Sequence, residues 1–242
     1  MNKMEKTIDG KELGPIVVRK NLRAKCYSLR VVDGKIIATI PKRGTESGVV
    51  SFIESKRERL RSMLIKYPKQ PMLNEDYQLK TCTFTLHIFR TKRSHIYISL
   101  KEGILHIACP EDTDFNNEQT QQTLRSIITK VMKVEAKRVL PERLEMLASR
   151  HGFQYAGVTV RNTRTRWGSC SSTKRINLSC SLMLLPDHLI DYVLLHELCH
   201  TVELNHSERF WSLMNKITNG SAQKLRKELK GINYPVVCSS PD

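Results

Sequence analysis

No apolar run in the sequence approaches the ~18 to 20 residues that would cross a bilayer, and its longest helical candidates carry Lys, Arg, His or Glu throughout. The amino-terminal stretch MNKMEKTIDGKELG places charges every two or three positions, where a secretion signal needs an apolar segment of about 7 to 15 residues. No membrane association and no secretion signal are expected. Paired cysteines are missing too. The seven, at 26, 82, 109, 170, 180, 199 and 238, are odd in number, scattered and without a C-x-x-C. That argues against a disulfide framework and a cysteine zinc knuckle, and fits reduced thiols in the cytoplasm. Aromatics are only 6% and do not interleave with the basic clusters, which argues against a stacking platform for single strands. Acidic residues are scarce: 24 Asp+Glu face 40 Lys+Arg, a net charge of +16.

Such a surface attracts polyanions, so nucleic acid is a possible partner, although a positive field describes encounter better than it identifies a ligand. Basic clusters lie at Arg19 to Lys25, Lys56 to Arg61, Arg90 to Arg93, and Arg161 to Arg175. With 242 residues, 40% hydrophobic and 26% charged, the chain has the composition of a globular protein with a real core. One domain with an appendage, or two small domains, is expected.

The first part reads as β-rich. Ile16 to Val18, Tyr27 to Val32 and Lys35 to Ile40 are strand candidates, with Asp33-Gly34 as a two-residue hairpin signal. One helix is predicted from a cap near Thr45 to Lys66, stopped by Tyr67-Pro68, with Val49, Phe52, Ile53, Leu60 and Leu64 as its apolar stripe. Further strands follow at Thr81 to Phe89, His95 to Leu100 and Ile104 to Ala108. These elements predict an antiparallel meander over residues 1–112, without a catalytic constellation. From 113–242, after the turn-rich PEDTDFNN, helical spacing dominates. Leu124, Ile127, Ile128, Val131 and Val134 share a face, Pro141 is expected to kink or restart the helix, and Gly152 to cap it. A small hairpin (Val158 to Ser169, then Ile176 to Leu182), a helix from Pro186 to Leu204 and two more near Ser207 to Asn219 and Ser221 to Lys230 complete an α+β chain. No internal repeat is visible.

One segment carries chemistry: LPDHLIDYVLLHELCHTVELNHSERFW. On a helix His196 and His200 lie one turn apart on one face and reach one metal, while Glu197, about 100° round, sits beside the site. With 8 His in the chain, His-Glu-x-x-His arises by chance roughly 0.02 times per sequence of this length. Leu189, Ile190, Val193, Leu194, Leu195, Leu198, Cys199 and Val202 spread round the same helix and mark it as buried. Burying imidazoles and a carboxylate without partners costs several kcal/mol, which a bound dication removes.

A catalytic zinc usually has three protein ligands. His206 is the best third, just past the helix end at Leu204-Asn205 and before a Ser207 cap. Glu203, Glu208 and Glu228 are the alternatives, and the metzincin subclass is disfavoured because position 203 is Glu rather than the turn glycine. Trp167-Gly168-Ser169 reads two ways: as an edge strand that pairs with an extended substrate, its glycine permitting close approach, or as a strand whose Trp167 plugs the core. Cys170 and Cys180 are expected to face one another across the hairpin as packed thiols, and Cys199 to pack rather than ligate.

The stretch RTRWGSCSSTKRINLSCSLMLLP, then DYVLLHELCH and NHSERFW, resembles the YgjP-like metallopeptidase family, relatives of the SprT-like and WLM zinc peptidases. VRKNLRAKCYSLRV and DGKIIATIP are similar to that family's first half, so the likeness runs from about Ile16 to Gly231. It implies a zincin-like fold, one zinc ion held by His196, His200 and His206, and Glu197 as general base; the substrate does not transfer with the resemblance, and a peptide or protein is the expected one. Two other readings stand beside it: a basic nucleic-acid-binding protein with a structural or vestigial metal site, and a DNA-associated protease. Tyr192, a turn before His196, is a candidate oxyanion donor.

Overall fold

The computed structural model describes residues 5–32, 34–66, 69–163 and 166–232. Asp33 of the hairpin signal, the Tyr67-Pro68 stop, Arg164, Thr165 and Cys238 lie outside them. The architecture is α+β, in two compact units, Met1–Pro71 and Met72–Asp242.

In the first unit Ile16, Val18, Ile36, Ala38 and Ile40 are buried, and they alternate with the half-buried Val17, Ile37 and Thr39. They belong to a sheet of β1 (Glu5–Asp9), β2 (Pro15–Asn21), β3 (Ser28–Val32) and β4 (Lys35–Pro41), in the order β1-β2-β4-β3. The meander expectation fails here. β3 and β4 form the antiparallel hairpin, but β2 runs parallel to β4, with Val18 opposite Ala38. The residues between β2 and β3 carry the chain past the site of β4, which then inserts between them. The buried face meets two helices rather than one: α1 (Glu46–Ser55), capped by Thr45 Oγ1, which accepts from the Gly48 N–H, and α2 (Arg57–Lys66). Lys56 leaves the helical region at φ −119°, yet Val49, Ile53 and Leu60 share one core.

The second unit repeats that strand order twice. β5 (Thr85–Thr91), β6 (Tyr97–Lys101) and β7 (Ile104–Pro110) form a sheet in the order β5-β7-β6, with β5 parallel to β7 and β6 antiparallel to it. β8 (Gly157–Arg161), β9 (Gly168–Cys170) and β10 (Arg175–Ser179) do the same in the order β8-β10-β9. A repeat of topology thus exists where no repeat of sequence was visible. The hairpin expected from Val158 to Leu182 is corrected in the same way: β8 stops at Arg161, and only the short β9 is antiparallel to β10.

Within the second unit the 34-residue α3 (Glu118–His151) packs against elements on both sides of it in sequence. Its Leu124, Ile128, Met132, Ala136, Leu140, Leu144 and Leu147 bury a stripe at helical spacing. They share one core with Leu86, Ile88, Leu105 and Ile107 of the β5-β7-β6 sheet and with Ile176 and Leu178 of the next sheet. The helix runs through Pro141 without ending, Val134 is exposed, and Gly152 caps the helix at φ +72°, the left-handed conformation that suits glycine. After β10 the chain makes a 3-10 turn and enters α4 (Asp187–Cys199), then α5 (Glu208–Ile217) and α6 (Ala222–Gly231). Arg143 of α3 fixes α4. Its Nε donates to Asp191 and its Nη1 to Asp187, each at 2.6 Å. No helix among the described residues is long and apolar enough to cross a membrane.

Candidate metal centre

The first helix of the site, α4, is buried nearly all round, with Leu189, Ile190, Val193, Leu194, Leu195, Leu198 and Cys199 in the core. It ends at Cys199 instead of running to Leu204. His200 is the cap, still right-handed at φ −67°, ψ −13°, so the one-turn offset from His196 survives. The chain then turns tightly: Thr201 N–H bonds to Leu198 O, and Val202 and Glu203 N–H to Cys199 O. This turn brings the Glu203 carbonyl to His200 Nδ1 at 3.0 Å. A carbonyl only accepts, so Nδ1 carries the proton and Nε2 keeps its lone pair, the outer-shell bond that orients a metal-binding imidazole.

Ser207 starts α5, its Oγ accepting from Phe210 N–H, and places His206 just outside the helix. His206 Nε2 faces His196 Nε2 at 3.0 Å. The ligand atoms of His196, His200 and His206 all lie within 4.8 Å of one another, the metal-capable group that the described residues contain. The Phe210 ring, fully buried, backs all three, with centroids 4.9 Å from His196, 4.7 Å from His200 and 4.8 Å from His206.

The donor set fits a divalent ion of zinc type. Burial, then the neighbouring His200 and His206, push His196 down to about 3, and burial first also lowers His206. Neutral imidazole is the form that ligates. Two facing Nε2 lone pairs are satisfied by a shared cation as well as by a shared proton, while the buried His196 Nδ1 has no hydrogen-bond partner among the described residues.

Glu197 is 5% exposed and its Oε2 is buried without a partner among the described residues. Burial pushes its carboxyl up to about 8, against the opposing charge of Arg166. What crowds it is β9. A Cβ on Gly168 would lie 2.7 Å from Glu197 Oε1, so only glycine lets this edge strand approach the carboxylate. Trp167, Gly168, Tyr192, Val193, His196, Glu197 and His206 line a common cavity of about 230 Å³.

The residues singled out from the sequence therefore divide. His196, Glu197, His200 and His206 come together, Trp167 and Gly168 join them, and Trp167 also packs on the core. Ser169 does not line the cavity and sits opposite Asn177 in the sheet. Glu203 contributes its carbonyl, and Glu228 bonds to His188 at 2.7 Å. Cys170 lies opposite Ile176 while Cys180 begins the 3-10 turn, so the two are not a cross-strand pair. Cys199 is buried. Sequence reasoning gave no role to Phe210, Trp211, Arg226 or Lys230. Phe210 falls three residues after the Ser207 cap, a position that turns it back toward the preceding loop, and this was the available signal.

Three convergent imidazoles beside a buried carboxylate whose Oε2 has no partner among the described residues define a metallohydrolase type of centre. The chain belongs to the YgjP-like family: residues 25–231 match its metallopeptidase domain. Among solved structures, the metallopeptidase zymogen of Pyrococcus abyssi abylysin is similar at 24% identity, over 38% of this chain and 91% of that one, with a TM-score of 0.35. A likeness so slight carries no argument. No curated protein matches.

Proposed function

We propose that this chain is a zinc-dependent peptidase, with one ion held by His196, His200 and His206 and with Glu197 as general base. One observation carries the reading: among the described residues the only acid on the cavity wall beside the imidazoles is the buried Glu197, whose Oε2 has no hydrogen-bond partner. A carboxylate so placed can take a proton and return it. When bound, zinc supplies Lewis acidity toward the scissile carbonyl and the attacking water. Glu197 takes a proton from that water as its oxygen bonds to the carbonyl carbon, and returns it to the leaving nitrogen as the C–N bond breaks. Gly168 leaves the β9 edge open to an extended substrate. Tyr192, 2% exposed on the cavity wall, is held protonated by burial and remains a donor.

The test is Glu197→Gln, which keeps shape and removes the proton acceptor. Equal zinc content and equal melting temperature are expected, with cleavage of library-selected peptides down by about 10² to 10⁴. Normal cleavage by the variant, or loss of its zinc, refutes the assignment.

A further inference from the structure

The cavity beside the histidines has an apolar and aromatic wall, but one side of it is cationic. Arg226 and Lys230, a turn apart on α6, both line it. Arg226 is half-buried, with its guanidinium carbon 4.6 Å from the centroid of the Trp211 ring. The half-buried Arg57 and Arg143 each grip two carboxylates. Arg226 has no carboxylate within ion-pair distance among the described residues. Its position is nonetheless built: Ala222 is buried, Leu225 and Leu229 pack on the core, and Glu228 bonds to His188 of α4 at 2.7 Å.

A guanidinium seated on an aromatic face keeps its N–H edge free for a planar, bidentate partner. At about 230 Å³ the cavity is smaller than the ~300–1,000 Å³ of a drug-sized pocket, so it takes a short stretch of a longer substrate. We infer that the substrate brings a carboxylate into this cavity, bound by Arg226 with Lys230, so that the site selects acidic peptides. The inference rests on the peptidase reading. The carboxylate comes either from an Asp or Glu side chain or from the chain terminus, and the same contacts serve both.

The experiment uses the full chain as zinc-loaded Glu197→Gln, which binds without turnover. The protein's two tryptophans, Trp167 and Trp211, both line the cavity, so their fluorescence reports occupancy. Acetylated peptides are titrated in isosteric pairs: Asp or Glu against Asn or Gln inside an amidated peptide, and a free against an amidated carboxyl terminus. In one of the two series the acidic member should bind at least tenfold tighter, which identifies the source of the carboxylate. Arg226→Gln should bring that pair within twofold, and Arg226→Glu should turn the preference toward Lys or Arg peptides, a reversal that misfolding does not produce. Equal binding within both series, no fluorescence change with any peptide, or a preference that survives Arg226→Gln overturns the inference. Wild-type cleavage of the same peptides separates the two readings. Discrimination without turnover refutes the peptidase alone, and turnover without discrimination refutes the carboxylate site alone.

Discussion

Gly168→Ala adds a single methyl group and tests the site where it is tightest. Gly168 does not adopt a positive φ, so alanine meets no backbone strain there and the cost is steric. Its Cβ would stand 2.7 Å from Oε1, 2.8 Å from Cγ and 2.9 Å from Cδ of Glu197. To regain an ordinary contact near 3.4 Å the carboxylate must retreat by about 0.7 Å, or β9 must move outward by as much. A catalytic group displaced by ~1 Å loses on the order of 10² in rate. A fall of about 10- to 100-fold in kcat is therefore expected, short of what Glu197→Gln produces.

Stability should respond far less. Overpacking of one methyl typically costs about 1 to 3 kcal/mol, and the end of a side chain yields more readily than backbone, which favours the low end. For a chain of this size ~1 kcal/mol moves Tm by about 2 to 4 °C. The three atoms nearest the new methyl all belong to Glu197 and none to an imidazole, so zinc should remain at one equivalent. The assay measures zinc content, Tm and peptide cleavage on wild type and Gly168→Ala side by side. Wild-type kcat with unchanged Tm would mean that Glu197 has room to move, which removes both its tight seat and the argument for it.

His206→Ala should lose stoichiometric zinc after desalting while Glu228→Ala keeps it, because the Glu228 carboxylate is engaged by His188; the reverse outcome reassigns the third ligand. Phe210→Ala should cost roughly 3 to 5 kcal/mol in denaturant unfolding, as a fully buried aromatic does. Phe210→Leu should recover much of that yet still bind zinc more weakly, since all three imidazoles rest on the ring, and unchanged zinc affinity in both variants would deny it that role. With a net charge of +16, duplex DNA should bind with little sequence preference and lose affinity linearly on a log–log salt plot. No binding at about 50 mM salt removes nucleic acid as a partner.

Local signals in the sequence were read well where they had local causes. Thr45, Ser207 and Gly152 each stand at the helix end they were expected to mark. The two histidines a turn apart needed only helical geometry. Strand order was not legible, because period-two alternation states which face is buried and never which strand lies beside it. A hairpin signal joins β3 to β4, but nothing near β2 says that β4 will come between. The break at Lys56 escaped for a related reason: the apolar stripe continues across it, so the pattern reads as one helix.

The end of α4 is more instructive. Apolar residues continue past His200 to Val202 and Leu204, and periodicity alone extends the helix to them, yet both are exposed at 61% and 56%. Had the helix continued, the Glu203 carbonyl would point along the axis rather than back to His200 Nδ1, and His206 would lie further on. Stopping at Cys199 leaves apolar surface in water but orients one imidazole and brings another to 3.0 Å from His196. The same exchange recurs at Gly168, where a strand gives up a side chain so that a carboxylate fits, and at Glu197, whose buried Oε2 has no partner among the described residues. Local preference and fold agree along most of this chain and part company at these few adjoining residues, which is where a site that needs unspent lone pairs must break the rules that satisfy them.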